Sequence, residues 1–191
     1  MTKLIAGFTL VHTSRGPNRQ HILRLYDVAR KNGTAVKTVH MEAFPGNVNG
    51  EVNSISISPG GIYIAIARTD NRLHVYDSRN FKNGKLYEYK HQGASLVSPG
   101  YSFSIGVPRA QWAETEYGRL TLISGGVDGK LTVSDHLFSR TVDNLLGCVR
   151  LWNPLEAITS PKNGIVLAKI RSDIGYFSLG DRTKNEQQLI M

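Results

Sequence analysis

Apolar and polar positions along this chain alternate with a period of two, in short runs broken by turn residues. Such runs predict strands that turn one face inward and the other outward. Leu4-Ile-Ala-Gly-Phe-Thr-Leu-Val11 predicts one apolar strand, and His12–Gln20 a polar, basic loop. His21-Ile-Leu-Arg-Leu-Tyr-Asp27 alternates around Leu23 and Leu25, and Val36–Met41 predicts an outer strand with Val36, Thr38 and His40 on one face. In the next stretch Val52, Ser54 and Ser56 share one face and Asn53, Ile55 and Ile57 the other. Ser58-Pro-Gly-Gly61 predicts a turn, because proline fixes one φ and glycine admits positive φ. Ile62–Ala67, Arg72–Asp77 and Lys85–Lys90 complete a set of four strands, the lysines of the last discouraging pairing with another chain.

The pattern repeats. Val52–Asp77 lays over the stretch that starts at Arg109-Ala-Gln-Trp112 and passes through Tyr117–Gly129, each reading strand, tight turn, strand, polar turn, strand. A repeat of about 40 to 50 residues with this content is the mark of stacked antiparallel sheets. Tyr26-Asp27, Tyr76-Asp77 and Trp152-Asn153 close third strands with an aromatic–carboxylate or aromatic–amide pair. On these residues the chain resembles the WD-repeat β-propeller family. The likeness covers most of the chain and is strongest over residues 51–77 and 109–129. The family's Gly-His dipeptide occurs nowhere, so the hydrogen-bond network that uses that histidine has no counterpart in the pattern.

The resemblance implies an all-β fold: a partial β-propeller of four-stranded antiparallel blades, incomplete at both ends. The units fall at about 1–44, 51–91 and 107–170, with the start of another at 174–191, all within one partial propeller over 1–191. The first unit is expected to lack its first strand. About three units is short of the four to eight usual in propellers, so a fragment of a longer product, or a ring completed by further blades, is expected. Lys130–Asp135 and Cys148–Asn153 both suit a third strand, but they lie too close together for separate units. Removing 130–147 leaves Ser124-Gly-Gly-Val-Asp-Gly129 joined to Cys148-Val-Arg-Leu-Trp-Asn153, an unbroken repeat. That segment is read as an insertion, either a translated intron (Gly129-Lys-Leu131 can be encoded with an embedded GTAAGTT donor site) or an ordinary long loop.

Composition narrows the class. The chain has 191 residues, 40% hydrophobic and 20% charged, which is ordinary for a globular protein, and its 19 glycines suit a turn-rich one. The formal net charge is +8, from 23 Lys+Arg against 15 Asp+Glu, which favours acidic partners. The single Cys148 can form no internal disulfide, so an intracellular location, cytoplasm or nucleus, is expected. No apolar run is long enough to span a membrane, and Leu4–Val11 is short and lacks a clear cleavage site for a signal peptide.

Catalytic patterns are missing. Gly125-Gly-Val-Asp-Gly-Lys130 fails as a phosphate loop, since Leu131 stands where a hydroxyl is needed and the glycine spacing is one residue short. The histidines show no paired metal spacing, Cys148 has no second thiol nearby, and no Gly-x-Ser-x-Gly elbow occurs. Asp27 and Asp77 read as turn residues. Neither enzymatic activity nor a cofactor or metal is expected.

In the family's topology, loops from second to third strands share one rim with the loops between blades. That rim would gather Arg15, Arg19, Arg68, Arg72 and Arg109, whose guanidiniums suit carboxylate and phosphate groups. The expected function is a non-catalytic scaffold that docks protein partners, acidic segments among them, on a loop rim. The alternative is a nucleic-acid- or chromatin-associated module, whose binding would weaken steeply with salt.

Overall fold

Four short strands pair antiparallel in chain order, three times over, and a two-stranded sheet follows. The structure is a computed structural model that describes residues 2–6, 9–16, 20–30, 33–45, 50–91, 106–114, 120–133, 142–152, 164–170, 177–179 and 189–190. The first sheet is β1 (Thr2–Ala6), β2 (Thr9–Arg15), β3 (His21–Asp27) and β4 (Lys37–His40). The second is β5 (Val52–Ile57), β6 (Tyr63–Arg68), β7 (Arg72–Asp77) and β8 (Lys85–Lys90). The third is β9 (Arg109–Glu114), β10 (Leu120–Val133), β11 (Val142–Trp152) and β12 (Ile165–Ile170). β13 (Ser178–Leu179) pairs with β14 (Leu189–Ile190). The fold is all-β, a partial β-propeller.

The apolar residues lie between the sheets. Val11, Leu23, Leu25 and Met41 from the first unit pack with Val52, Ile55, Ile64, Ile66, Tyr76 and Phe81 from the second. Ala65, Ala67, Leu73, Val75 and Tyr89 on the second sheet's other face pack with Val107, Ala110, Trp112, Leu122 and Trp152 of the third. Ile123, Val149 and Phe177 begin a further cluster. β6 shows how one strand serves two neighbours. A strand covered on both faces reads as a continuous apolar run, and in Ile64-Ala-Ile-Ala67 the isoleucines face the first sheet and the alanines the third. The alanine side is small because Tyr89 and Trp152 stack there, their ring centroids 4.9 Å apart.

The first unit departs from the sequence reading. Leu4–Val11 is not one strand but a hairpin, with Leu4 opposite Val11 and Ala6 opposite Thr9. The first sheet therefore has four strands, and the strand expected to be missing is present. The pairing of Ala6 with Thr9 leaves two residues between them. The expected loop from His12 is also shorter, since β2 runs to Arg15 with Val11 and Thr13 buried in alternation. In the second unit Gly61 takes a φ of +72°, and Gly61 N–H donates to Ser58 O at 2.8 Å, closing the predicted turn.

Residues 130–133 and 142–147 extend the central strands of the third sheet. Lys130 pairs with Leu145 and Val133 with Val142, beyond a register irregularity between Val127 and Lys130. Among the described residues no helix is long and apolar enough to cross a membrane.

Candidate functional site

Antiparallel order brings the end of β2, the β6–β7 turn and the segments between units to one rim. Arg15, Arg68, Arg72 and Arg109 occupy it, while Arg19 lies outside the described residues. The arginines that reach this rim are largely occupied by the protein's own groups. Arg15, which is exposed, pairs with Glu51 and also donates to Gly50 O. Arg68, expected on an open rim, is 1% exposed instead. Its Nε and Nη2 donate to the Asp70 carboxylate at 3.1 and 2.7 Å, and Nη1 and Nη2 donate to the carbonyls of Glu42 and Ala43. Its guanidinium also lies over the Phe44 ring, 3.9 Å from the centroid. A buried cation survives only when paired and hydrogen-bonded, so Arg68 ties the first unit to the second, with four hydrogen bonds to the protein's own groups. Arg72 bonds Glu88 Oε1 at 3.0 Å and approaches Asp70. Arg109 is half-buried at the start of β9, opposite Gly125.

Beside this rim lies a group that the sequence pattern did not foretell. His91 follows β8, and its Nε2 lies 2.9 Å from Ser124 Oγ, which also accepts the Trp152 Nε1–H at 2.8 Å. The His91 ring meets Trp152 edge-on. Gly126 makes the room: a Cβ there would lie 2.5 Å from His91 Cγ. The signal available in sequence was positional, a histidine following an outer strand and a serine in the second strand of the next unit.

At the opposite rim, where the β3–β4, β5–β6 and β7–β8 turns meet, a cavity of about 390 Å³ opens between the first two sheets. Val11, Leu25, Val36, Ile57 and Ile64 contribute its apolar surface, with Asp27 and Arg79 among the polar residues. Lys37 Nζ bridges it by donating to the carbonyls of Ser78 and Arg79 at 2.6 and 3.2 Å. Asp27 and Asp77 serve as turn residues, each accepting the backbone N–H two positions on, from Ala29 and Arg79. The Arg79 guanidinium holds the Asp77 carboxyl below the usual carboxylate range, with burial opposing.

A third cluster sits in the cleft between the first and second units. His74 on β7 and Glu88 on β8 are cross-strand partners, and Glu42 arrives from the segment after β4. Their ligand atoms lie within 4.8 Å of one another. Lys85 Nζ bonds both carboxylates, Glu42 Oε2 at 2.6 Å and Glu88 Oε2. His74 is fully buried, and burial, with the charges of Arg68 and Lys85, pushes it down to about 3. Burial pushes Glu88 up, but the Lys85 hydrogen bond and the charges of Arg72 and Lys85 outweigh it and hold that carboxyl below its usual range. The three residues are 32 and 14 positions apart in sequence, which is why no metal spacing is visible there.

Among solved structures the chain is similar to one titled "Structure of Dos1 propeller", with a TM-score of 0.58 and 18% identity over 90% of this chain. The chain spans about a third of that structure's length (34%). Matches extend to 263 solved chains, so the fold is widely shared and does not by itself choose a function. No known family pattern matches the chain. No curated protein matches it either.

Proposed function

We propose that the chain is a non-catalytic protein-interaction scaffold of the WD-repeat propeller type, working in the cytoplasm or nucleus. The observation that carries this reading is the cavity between the first two sheets, an apolar cleft with charged groups at a rim of turns. Its occupant is an extended segment of a protein partner, one apolar side chain entering between Leu25 and Ile64. The basic net charge supports an acidic partner. The ion pairing of Arg15, Arg68 and Arg72 weighs against the nucleic-acid alternative, since phosphate neutralisation needs cations that are not already paired.

The test compares partner recovery by wild type, by the cavity variant Val36→Asp/Arg79→Glu, and by the rim variant Arg15→Glu/Arg19→Glu. Recovery lost in the cavity variant and kept in the rim variant supports this reading. Recovery lost only in the rim variant moves the docking surface to the arginines. Tight binding to nucleic acid that collapses with added salt overturns the scaffold.

A further inference from the structure

We propose that Glu42, His74 and Glu88 form a binding site for a divalent transition-metal cation, zinc fitting best, which clips the segment after the first sheet to the outer strands of the second. Imidazole and carboxylate donors are the ligand types zinc accepts, at about 2.0–2.2 Å. A tetrahedral ion with such bonds sets its ligands about 3.4 Å from one another, and His74 Nε2 already stands 3.4 Å from Glu88 Oε2. Glu42 closes the remaining gap from an exposed position, where it is paired with Lys85 and would exchange that contact for the ion.

His74 is the independent sign that a ligand belongs here. It is fully buried, and neither Nδ1 nor Nε2 has a hydrogen-bond partner. Native interiors leave few buried polar groups unpaired, because each costs the full desolvation of that group. A metal at Nε2 removes that cost.

The surroundings suit an ion. Arg72 holds Glu88 by Oε1 and leaves Oε2 facing His74, an outer contact of the kind that orients ligating carboxylates. Arg68 is occupied by Asp70. Lys85 marks where positive charge is stabilised, its ammonium lying between both carboxylates. A divalent ion replaces it while the flexible lysine stem turns to water. Three protein ligands leave a fourth position open.

The test uses the full chain, stripped with chelator and titrated with Co²⁺, a visible reporter of zinc geometry. Wild type is expected to take up one equivalent with tetrahedral visible absorption that Zn²⁺ abolishes, and its thermal midpoint rises with metal. Glu42→Gln and Glu88→Gln each weaken uptake by about tenfold or more, and both sit at exposed or half-exposed positions, so folding is kept. Lys85→Met tightens uptake by removing the competing ammonium. No stoichiometric uptake by wild type, uptake undiminished in both glutamine variants, or weaker uptake in Lys85→Met overturns the proposal.

Discussion

The interface between the first and second sheets and the interface between the second and third solve one packing problem with opposite chemistry. Backbone register makes the positions equivalent. Met41 N–H donates to His21 O, as His91 N–H donates to Asn71 O. Ile66 pairs with His74, as Ser124 pairs with Arg150, and two residues beyond stand Tyr76 and Trp152. So Met41, Ile66 and Tyr76 share one buried apolar cluster where His91, Ser124 and Trp152 form a hydrogen-bonded one. The next position differs too: Arg68 lies over Phe44 where Gly126 yields to the His91 ring. A polar trio is tolerated inside when every member is satisfied, and an apolar trio when none needs satisfying. A mixture is what costs.

The largest effect should come from truncating the ring at the centre of the polar interface. Trp152→Ala is expected to cost about 3–5 kcal/mol in urea unfolding, from lost burial plus the cavity left behind. Ser124→Ala is smaller. It removes the shared partner of the Trp152 indole N–H and His91 Nε2, at about 1–3 kcal/mol. The sharper experiment converts one interface into the other with His91→Met/Ser124→Ile/Trp152→Tyr. Its cost should fall short of the summed single substitutions by about 1 kcal/mol or more, since the residues act as a unit. Additive costs would break the comparison.

A milder probe is His21, a buried histidine of the first interface, whose Nε2 lies 3.1 Å from Gly50 O. Burial lowers its pKa, with Arg15 and Arg68 adding to the shift and the Gly50 contact and Glu51 opposing. The folded state therefore holds the ring neutral while the unfolded chain takes a proton below about pH 6.5. Stability from this group is present above that pH and declines as pH falls towards the lowered folded value, by at most about 1.4 kcal/mol per unit. His21→Gln should flatten the decline measured between pH 7 and pH 5. An unaltered slope would mean that the burial is not felt by the ring.

The parts of this fold that the sequence made legible are those fixed by local alternation. β5 to β8 carry it, because each strand is bounded by turn residues such as Pro59-Gly-Gly61, but a register shift between Val52 and Ser54 turns Val52 into the cluster that holds Ile55, where strict alternation sets them on opposite faces. The first hairpin escaped, because the run Leu4–Val11 across its turn is nearly all apolar, and period-two alternation cannot mark a turn inside such a run. Arg68 was misplaced for a different reason. A charge reads as exposed until its partners are known, and Asp70, Glu42 O and Ala43 O are assembled by the fold. His91 and Ser124 are 33 positions apart, so their bond belongs to the stacking of units rather than to any window of sequence. The same holds for Glu42, His74 and Glu88.

The smallest expected effect concerns Lys130–Gly147. In the second unit the partners Ala67 and Leu73 are joined by five residues, Arg68–Arg72. Excising 130–147 would join the equivalent partners Gly125 and Val149 by five as well: Gly126, Val127, Asp128, Gly129 and Cys148. The hairpin beyond Gly126 and Cys148 then becomes an appendage to a turn that closes without it. Loop length enters closure entropy only logarithmically, so losing the extension should change unfolding free energy by about 1 kcal/mol or less. In the shortened chain Gly129 falls where Asn71 stands, the one described non-glycine residue with positive φ, at +61°. Glycine takes that conformation without strain. A deletion variant that unfolds more than about 2 kcal/mol more easily would show that the extension is integral to the third sheet, and the equivalence of the two turns would be lost with it.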